Sequence, residues 1–559
     1  MTNSEHGALP TFAITEIPFS RRGSWLNISP TIGVNEQSDE LHIVTHRGGF
    51  NPVLRVGARV AGTRVPAVIQ ANPATLTWRH ERGTIEATYQ DADTLRFRGV
   101  GLDLSLTPVD SYLYADPVDD SFVYNAAISG HRYRITVLHG AATTASESVA
   151  LTAGSGESWE IAIEELPSAR PPRDRYDAFD RVVARSAAEF TAWLDAIAPW
   201  RTDQTPGTAL AAYVDWSASV DPSGFLRRPA MLMSKHWMDR VWSWDHCFNA
   251  LAVAHGDPEF AWDQFMVMFD HQDDSGGLPD LVGHSVLQYN YVKPPIHGWA
   301  LDRLRRKFRP DHEQLRAALA GLERWTDWWL TYRTIAGGLP HYQHGNDSGW
   351  DNATVFDGDK PVSTPDLAAF LVLQMRATAD LAETLGESDR ATRWIDRADK
   401  LTTQLIDSFW TPQGFVARSA RTGEAIPSKS LLNTMPIALG NLLPRHIIAG
   451  LENQLTQHLT EFGLATEHPG SPEYEADGYW RGPIWAPSTY LVVQGLRDAG
   501  LHPLADAISE RFRRLCERSG FPENFDALSG AALRDRAYTW TASCYLLLAE
   551  EYERGRALR

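Results

Sequence analysis

The chain has 559 residues and a formal net charge of −18, from 70 acidic against 52 basic side chains. A surface that negative repels phosphate backbones and anionic lipid, which argues against nucleic acid and a membrane surface as partners. Its three widely spaced cysteines, Cys247, Cys516 and Cys544, fit neither a disulfide framework nor a zinc site and read as buried, reduced thiols.

The N-terminus shows no basic segment followed by a long apolar run, so no secretory leader is expected. No stretch approaches the ~18 apolar residues of a membrane span, and a cytoplasmic location is expected. From there to about residue 165 the apolar residues recur at a period near two. Thr84–Tyr89, Thr94–Val100, His131–Leu138 and Glu157–Ile163 are the clearest cases, punctuated by turns at 91–93 and 153–158. These read as half-buried antiparallel strands, and residues 1–165 are expected to form a β-sandwich. A Pro- and Arg-rich joint at 166–176 leads into an amphipathic helical run at 178–197, so 166–204 reads as a linker with a helix. After residue 205 the pattern turns helical, with candidate helices at 244–255, 258–272, 312–333, 365–386, 390–410, 444–459, 484–500, 503–520 and 538–555. About eleven or twelve helices fit this span. With no repeat of fixed period, a helical barrel over 205–559 is favoured over a solenoid, and the fold class is expected to be mainly α.

Several loop segments collect Trp, Gly, Asp and Glu: HWMDRVWSWDHCF (236–248), HQDDSGGLPD (271–280), HGNDSGWDNATVFD (344–357), DGYWRGPIWAP (477–487) and FPENFDALSG (521–530). Paired carboxyls supply the proton donor and the base or nucleophile that glycoside cleavage needs. Tryptophan beside Asp or Arg supplies a flat surface for the sugar ring together with partners for its hydroxyls. Each segment also admits a plain structural reading. The tryptophans fit a core, Asp245 a helix cap, Asp273–Asp274 an ordinary turn, Asp347 and Asp351 Asx-turns, Glu523 a solvated loop and Arg481 a stacked structural arginine. On residue types alone the chain reads as a helical-barrel enzyme acting on sugar.

The ordered set WSWD, GNDSGWDN, GYWRGPIW, ENFDALSG and YTWTAS resembles glycoside hydrolase family 63 and its mannosylglycerate/glucosylglycerate hydrolase-like relatives, and more distantly the trehalases. The resemblance covers about residues 205–555. It implies an (α/α)6 barrel, with the β-sandwich as N-terminal domain, and hydrolysis of an α-glycosidic bond with inversion. The general acid matches Asp351 and the general base Glu523. Trp242, Trp244, Asp245, Gln272, Asp274, Trp350, Tyr479, Trp480, Arg481 and Trp485 match substrate-binding positions, with Asp245 and Arg481 holding sugar hydroxyls. Asp351 is then expected to rest protonated and Glu523 ionised. No metal and no cofactor are required, and the partner implied is a small carbohydrate. The activity expected is that of an exo-acting, α-glucosidase-like enzyme on small oligosaccharides or glycosides. A phosphorolytic or transglycosylating barrel enzyme, or a non-catalytic sugar-binding protein, is the alternative. Relatives often follow the acid motif with Ser-Pro-Arg, where this chain has Ala353-Thr354-Val355. Tyr289, Tyr291 and Lys293 stand where an aglycone contact or plain packing is equally open.

Overall fold

A computed structural model describes residues 9–110, 113–145, 148–152, 158–335, 338–358 and 360–557. The chain divides into two compact units, one of residues 1–199, 209–240 and 283–285, the other of 200–208, 241–282 and 286–559. Among the described residues helix accounts for 39% and strand for 25%, so "mainly α" understates the β part.

The first unit carries two antiparallel sheets. One runs in the order Leu26–Gly33, Glu36–Thr45, Asn51–Val60, Asp103–Pro108, Ser148–Thr152, Ala141–Ala145. The other runs Leu113–Ala115, Phe122–Asn125, Arg132–His139, Ser158–Leu166, Thr94–Val100, Gly83–Asp91, Leu76–His80, Val68–Ala71. The period-two pattern explains both: alternate side chains such as Ile85, Ala87 and Tyr89, or Ile161 and Ile163, enter one apolar core together with Ile28, Ile43 and Leu104 of the other sheet. The turn at 91–93 is an Asx turn, in which Asp93 N–H donates to Asp91 Oδ1 at 3.1 Å. Most of the turn expected at 153–158 lies outside the described residues.

Helix α1 (Phe179–Ile197) buries Phe190 and Trp193. Helix α2 (Thr208–Ala218) lays Tyr213 and Trp216 against Phe190, at centroid distances of 5.8 and 5.6 Å. Residues 209–240 group with the first unit, whereas the sequence pattern put the domain boundary at 205.

The second unit contains helices α3 (Asp245–Val253), α4 (Pro258–Met266), α5 (His297–Lys307), α6 (His312–Tyr332), α7 (Pro365–Thr384), α8 (Ser388–Phe409), α9 (Arg445–His458), α10 (Ala486–Asp498), α11 (His502–Ser519) and α12 (Thr539–Ala557), with a 3-10 segment at Leu431–Leu442. Six of these segments form a closed ring. Helix α3 packs on α5, α5 on α7, α7 on the 3-10 segment, that segment on α10, α10 on α12, and α12 back on α3. Burial follows from the pattern: every residue of α3 is buried, whereas α8 buries Ala391, Trp394, Ala398, Leu401 and Leu405 along one stripe and faces solvent on the other. Helices α4, α6, α8, α9 and α11 form the outer layer of this helical barrel. The sequence pattern anticipated most of these helices. It missed α5, which follows Pro294-Pro295 and carries an Arg-rich outer face, and the 3-10 segment, which has Pro436 inside and Gly440 at φ 55°. None of the described helices is long and apolar enough to cross a membrane.

Candidate active site

The segments singled out in the sequence share one topological position: each leads into the N-terminal end of an inner segment. Residues 241–244 precede α3, 271–293 precede α5, 343–357 precede α7, 464–485 precede α10 and 521–538 precede α12.

Tryptophans join these loops. Trp480 and Trp485 stack at 4.0 Å and 4°, and Trp350 lies 4.5 Å from Trp480. Trp540 meets Trp485 edge-on at 5.4 Å and Trp244 at 5.9 Å. All five are buried. Gly349 permits this: it sits at φ 69°, and a Cβ there would stand 2.6 Å from the Trp244 indole carbons. Gly345 is required for a similar reason, since a Cβ there would lie 1.9 Å from the Asp351 carbonyl oxygen. The Gly residues of GNDSGWD are therefore fixed by close approach.

Asp351 follows the 3-10 turn Gly345–Ser348 and is half-buried. Buried Asp347 organises the turn, accepting from Arg333 at 2.8 Å and from the N–H groups of Gln343, His344 and Val292 at 2.9, 3.2 and 3.2 Å. Burial raises the Asp351 carboxyl above the usual carboxylate range. The Lys293 ammonium opposes that shift and the Asp280 carboxylate adds to it.

Glu523 comes from the loop before α12. Its N–H donates to the Asp535 carbonyl at 2.7 Å, and the next residues pair Asn524–Phe525 with Ala532–Leu533. It is 4% exposed. Burial first, and the charge of Asp535 second, push its carboxyl up to about 8, against the pull of Arg534 and of a hydrogen bond from Tyr479. This runs against the expectation that Glu523 rests ionised: burial beside a second carboxylate favours the neutral form.

Tyr479 connects the two carboxyls. Its hydroxyl bonds Glu523, and burial first, then the charges of Glu523 and Asp351, raise its phenol. Its backbone is at φ 64°, a costly conformation for a bulky residue. Trp485 Nε1–H donates to the Tyr479 carbonyl at 2.8 Å and holds it there. Asp245, at the first position of α3, is 3% exposed. Its carboxyl is raised well above its ordinary value by burial, with Asp280 and Asp351 contributing and Lys293 opposing. Its Oδ2 has no hydrogen-bond partner among the described residues. Trp242, half-buried, gives its carbonyl to His246 Nδ1–H at 2.9 Å.

Two of the expected sugar-binding residues, Arg481 and Gln272, make bonds within the protein, and a third, Asp274, is exposed. Arg481 donates through Nε to the Asn352 carbonyl at 2.8 Å and forms an ion pair with Asp357, so it ties the acid loop to the loop of Trp480 and Trp485. Asn352 returns the link, accepting from Trp480 N–H at 3.0 Å and donating to the Gly478 carbonyl at 3.0 Å. Gln272 spends its amide on the Gly276 and Gly321 carbonyls, and Asp274 is exposed beside an Asp273 turn that accepts from Gly277 N–H at 2.8 Å. The ordinary-turn reading describes that stretch. The last residue of the same motif carries charge into the site: Asp280, buried, pairs with Lys293 at 2.7 Å. Sequence reasoning also missed Tyr538, whose phenol is raised by burial first and then by the charges of Glu523 and Asp245, and the opposed charges of Asp535 and Arg534 that act on Glu523. The YTWTAS motif offered the signal for Tyr538 and Trp540.

Among the described residues one group of His and Cys donors converges: His246, Cys247 and His297 lie within 4.8 Å of one another, all buried. His246 is held neutral, with its pKa pushed down to about 4 by burial, and Cys247 is a free thiol. The Trp242 carbonyl fixes the His246 ring, whereas both ring nitrogens of buried His297 have no hydrogen-bond partner among the described residues.

Residues 238–541 match the family model of the mannosylglycerate hydrolase MGH1-like glycoside hydrolase domain. The chain is 25% identical over 428 residues to a mannosylglycerate hydrolase of Rubrobacter radiotolerans, covering 58% of this chain and 93% of that one. In fold it is similar to the GH63 mannosylglycerate hydrolase from Thermus thermophilus in complex with glucose, with a TM-score of 0.53 and 23% identity over 61% of this chain and 98% of that one. A bacterial glucoamylase complexed with acarbose gives a TM-score of 0.63 at 12% identity, over 99% of this chain and 96% of that one.

Proposed function

The chain belongs to the mannosylglycerate hydrolase MGH1-like glycoside hydrolase family and is a glycoside hydrolase, and we propose that it cleaves α-glycosidic bonds of small glycosides with inversion, Asp351 acting as proton donor and Glu523 as base. The observation that carries this reading is that the charges of Asp351 and Glu523 both act on the phenol of Tyr479, which bonds Glu523, beside a cluster of buried tryptophans. Asp351 gives its proton to the glycosidic oxygen as the bond to the anomeric carbon breaks. Glu523 takes a proton from a water that attacks the opposite face of the ring. The unpartnered Oδ2 of Asp245 accepts a sugar hydroxyl, and the tryptophans wall the ring.

Glu523 must be ionised to serve as base. Burial and the Asp535 charge favour its neutral form, and Arg534 and Tyr479 favour the ionised form that the base needs.

An α-glucoside is the proposed substrate. An α-mannoside carried on glycerate is the second reading, favoured by what the curated relatives are named for. A screen of α-glucosides, α-mannosides and their glycerate conjugates, with free sugar as the readout, tests the proposal. Cleavage that falls by about 10²–10⁴-fold in both Asp351→Asn and Glu523→Gln, with melting unchanged, supports the roles assigned. Near-normal turnover in either variant removes that residue from the mechanism.

A further inference from the structure

Lys293 stands where three of the site's loops meet. Its ammonium is buried. It lies 2.7 Å from Asp280 Oδ1 and donates to the Asn346 carbonyl at 2.7 Å, inside the turn that delivers Asp351. The neighbouring Val292 N–H reaches Asp347 of the same turn. The Asp280 backbone is fastened on the other side: its carbonyl accepts from Ser243 N–H at 3.0 Å, next to Trp244 and Asp245. One cation thus links the loop before α3 to the loop of the proton donor.

We propose that Lys293 is a positioning residue for Asp351: its ammonium fixes the acid-bearing turn against Asp280 and is the cation shared by the Asp280, Asp351 and Asp245 carboxyls. This rests on the reading of Asp351 as proton donor. Asp280 is the carboxyl in contact with Lys293, and the charge of Lys293 also acts on Asp351 and Asp245. The groups facing Asp351 are Lys293, Asp280, His344, Asp245 and the Tyr479 phenol, and Asp280 also faces Asp347. Lys293 opposes the rise that burial imposes on Asp280 and Asp351, so its removal leaves both carboxyls harder to ionise. A carboxyl whose folded pKa stands above its unfolded value favours the folded state while protonated. That advantage is lost as pH rises from the unfolded toward the folded pKa. Without Lys293 the loss extends to higher pH.

The test compares wild type, Lys293→Met and Lys293→Arg, with Lys293→Gln standing in if the Met variant does not fold. Melting temperature is followed from about pH 5 to about pH 8 without substrate. The pH profile of kcat/KM is measured on the α-glycoside that wild type cleaves fastest. In Lys293→Met the melting gap to wild type widens as pH rises, and one limb of the profile moves to higher pH by about one unit. Lys293→Arg restores both. A melting gap that is constant with pH, with neither limb moved, overturns the proposal and leaves Lys293 a packing residue. The melting arm needs no substrate, so it decides the charge-sharing role even where no tested glycoside is cleaved, an outcome that counts against the proposed function instead.

Discussion

Gly349→Ala concentrates the geometry of the site into one methyl group. Gly349 sits at φ 69°, and its Cβ would meet Trp244 Cε2 and Cζ2 at 2.6 Å. Trp244 cannot retreat, being 1% exposed and flanked by Phe248 at 6.1 Å and Trp540 at 5.9 Å. A left-handed backbone costs alanine about 1–2 kcal/mol, and forcing a carbon into a packed core costs about 1–3 kcal/mol, so the change should destabilise the helical unit by about 2–5 kcal/mol. Relief must come from the 348–351 backbone, which displaces Asp351, so kcat should fall as well. Urea unfolding followed by circular dichroism measures the first effect and steady-state hydrolysis the second. Gly358→Ala is the control, because a Cβ there meets nothing within 4 Å and its φ is ordinary; it should stay within about 0.5 kcal/mol of wild type. A Gly349→Ala protein as stable and as active as the control would refute the close-packed account of Trp244 and the acid loop.

Other outcomes follow from the charges and the loop ties. The kcat/KM profile should carry a limb near pH 8 from Glu523, and Asp535→Asn, by removing the neighbouring charge, should move that limb to lower pH; an unmoved limb contradicts the stated cause. Arg481→Lys cannot span both Asn352 and Asp357, so kcat should fall with KM nearly constant, whereas a residue holding sugar hydroxyls would raise KM.

Much of this site was legible because its residues come in dense motifs. WSWD, SGWDN, GYWRGPIW and ENFD each bring several unusual side chains within a few positions, and the fold gathers them at the N-terminal ends of inner segments. What the motifs could not convey is the direction in which a side chain spends its hydrogen bonds. Arg481 serves the acid loop and Gln272 serves two carbonyls, facts set by tertiary placement. Asp280 lies at the end of the HQDDSGGLPD motif and Lys293 reads from sequence as an aglycone contact or packing residue; only folding makes them an ion pair. The protonation of Glu523 was misread because sequence shows the carboxylate without the burial and the Asp535 charge that raise it. The 3-10 segment at Leu431–Leu442 was hidden by Pro436, which argues locally against any helix, although the ring needs a sixth inner element there.

The central claim is that water, activated by Glu523, displaces a leaving group protonated by Asp351 from the opposite face of the sugar. Proton NMR of sugar released from an α-glycoside in the first minutes, before mutarotation, reads that stereochemistry directly. The account predicts that the β-anomer appears first. Initial release of the α-anomer would contradict it.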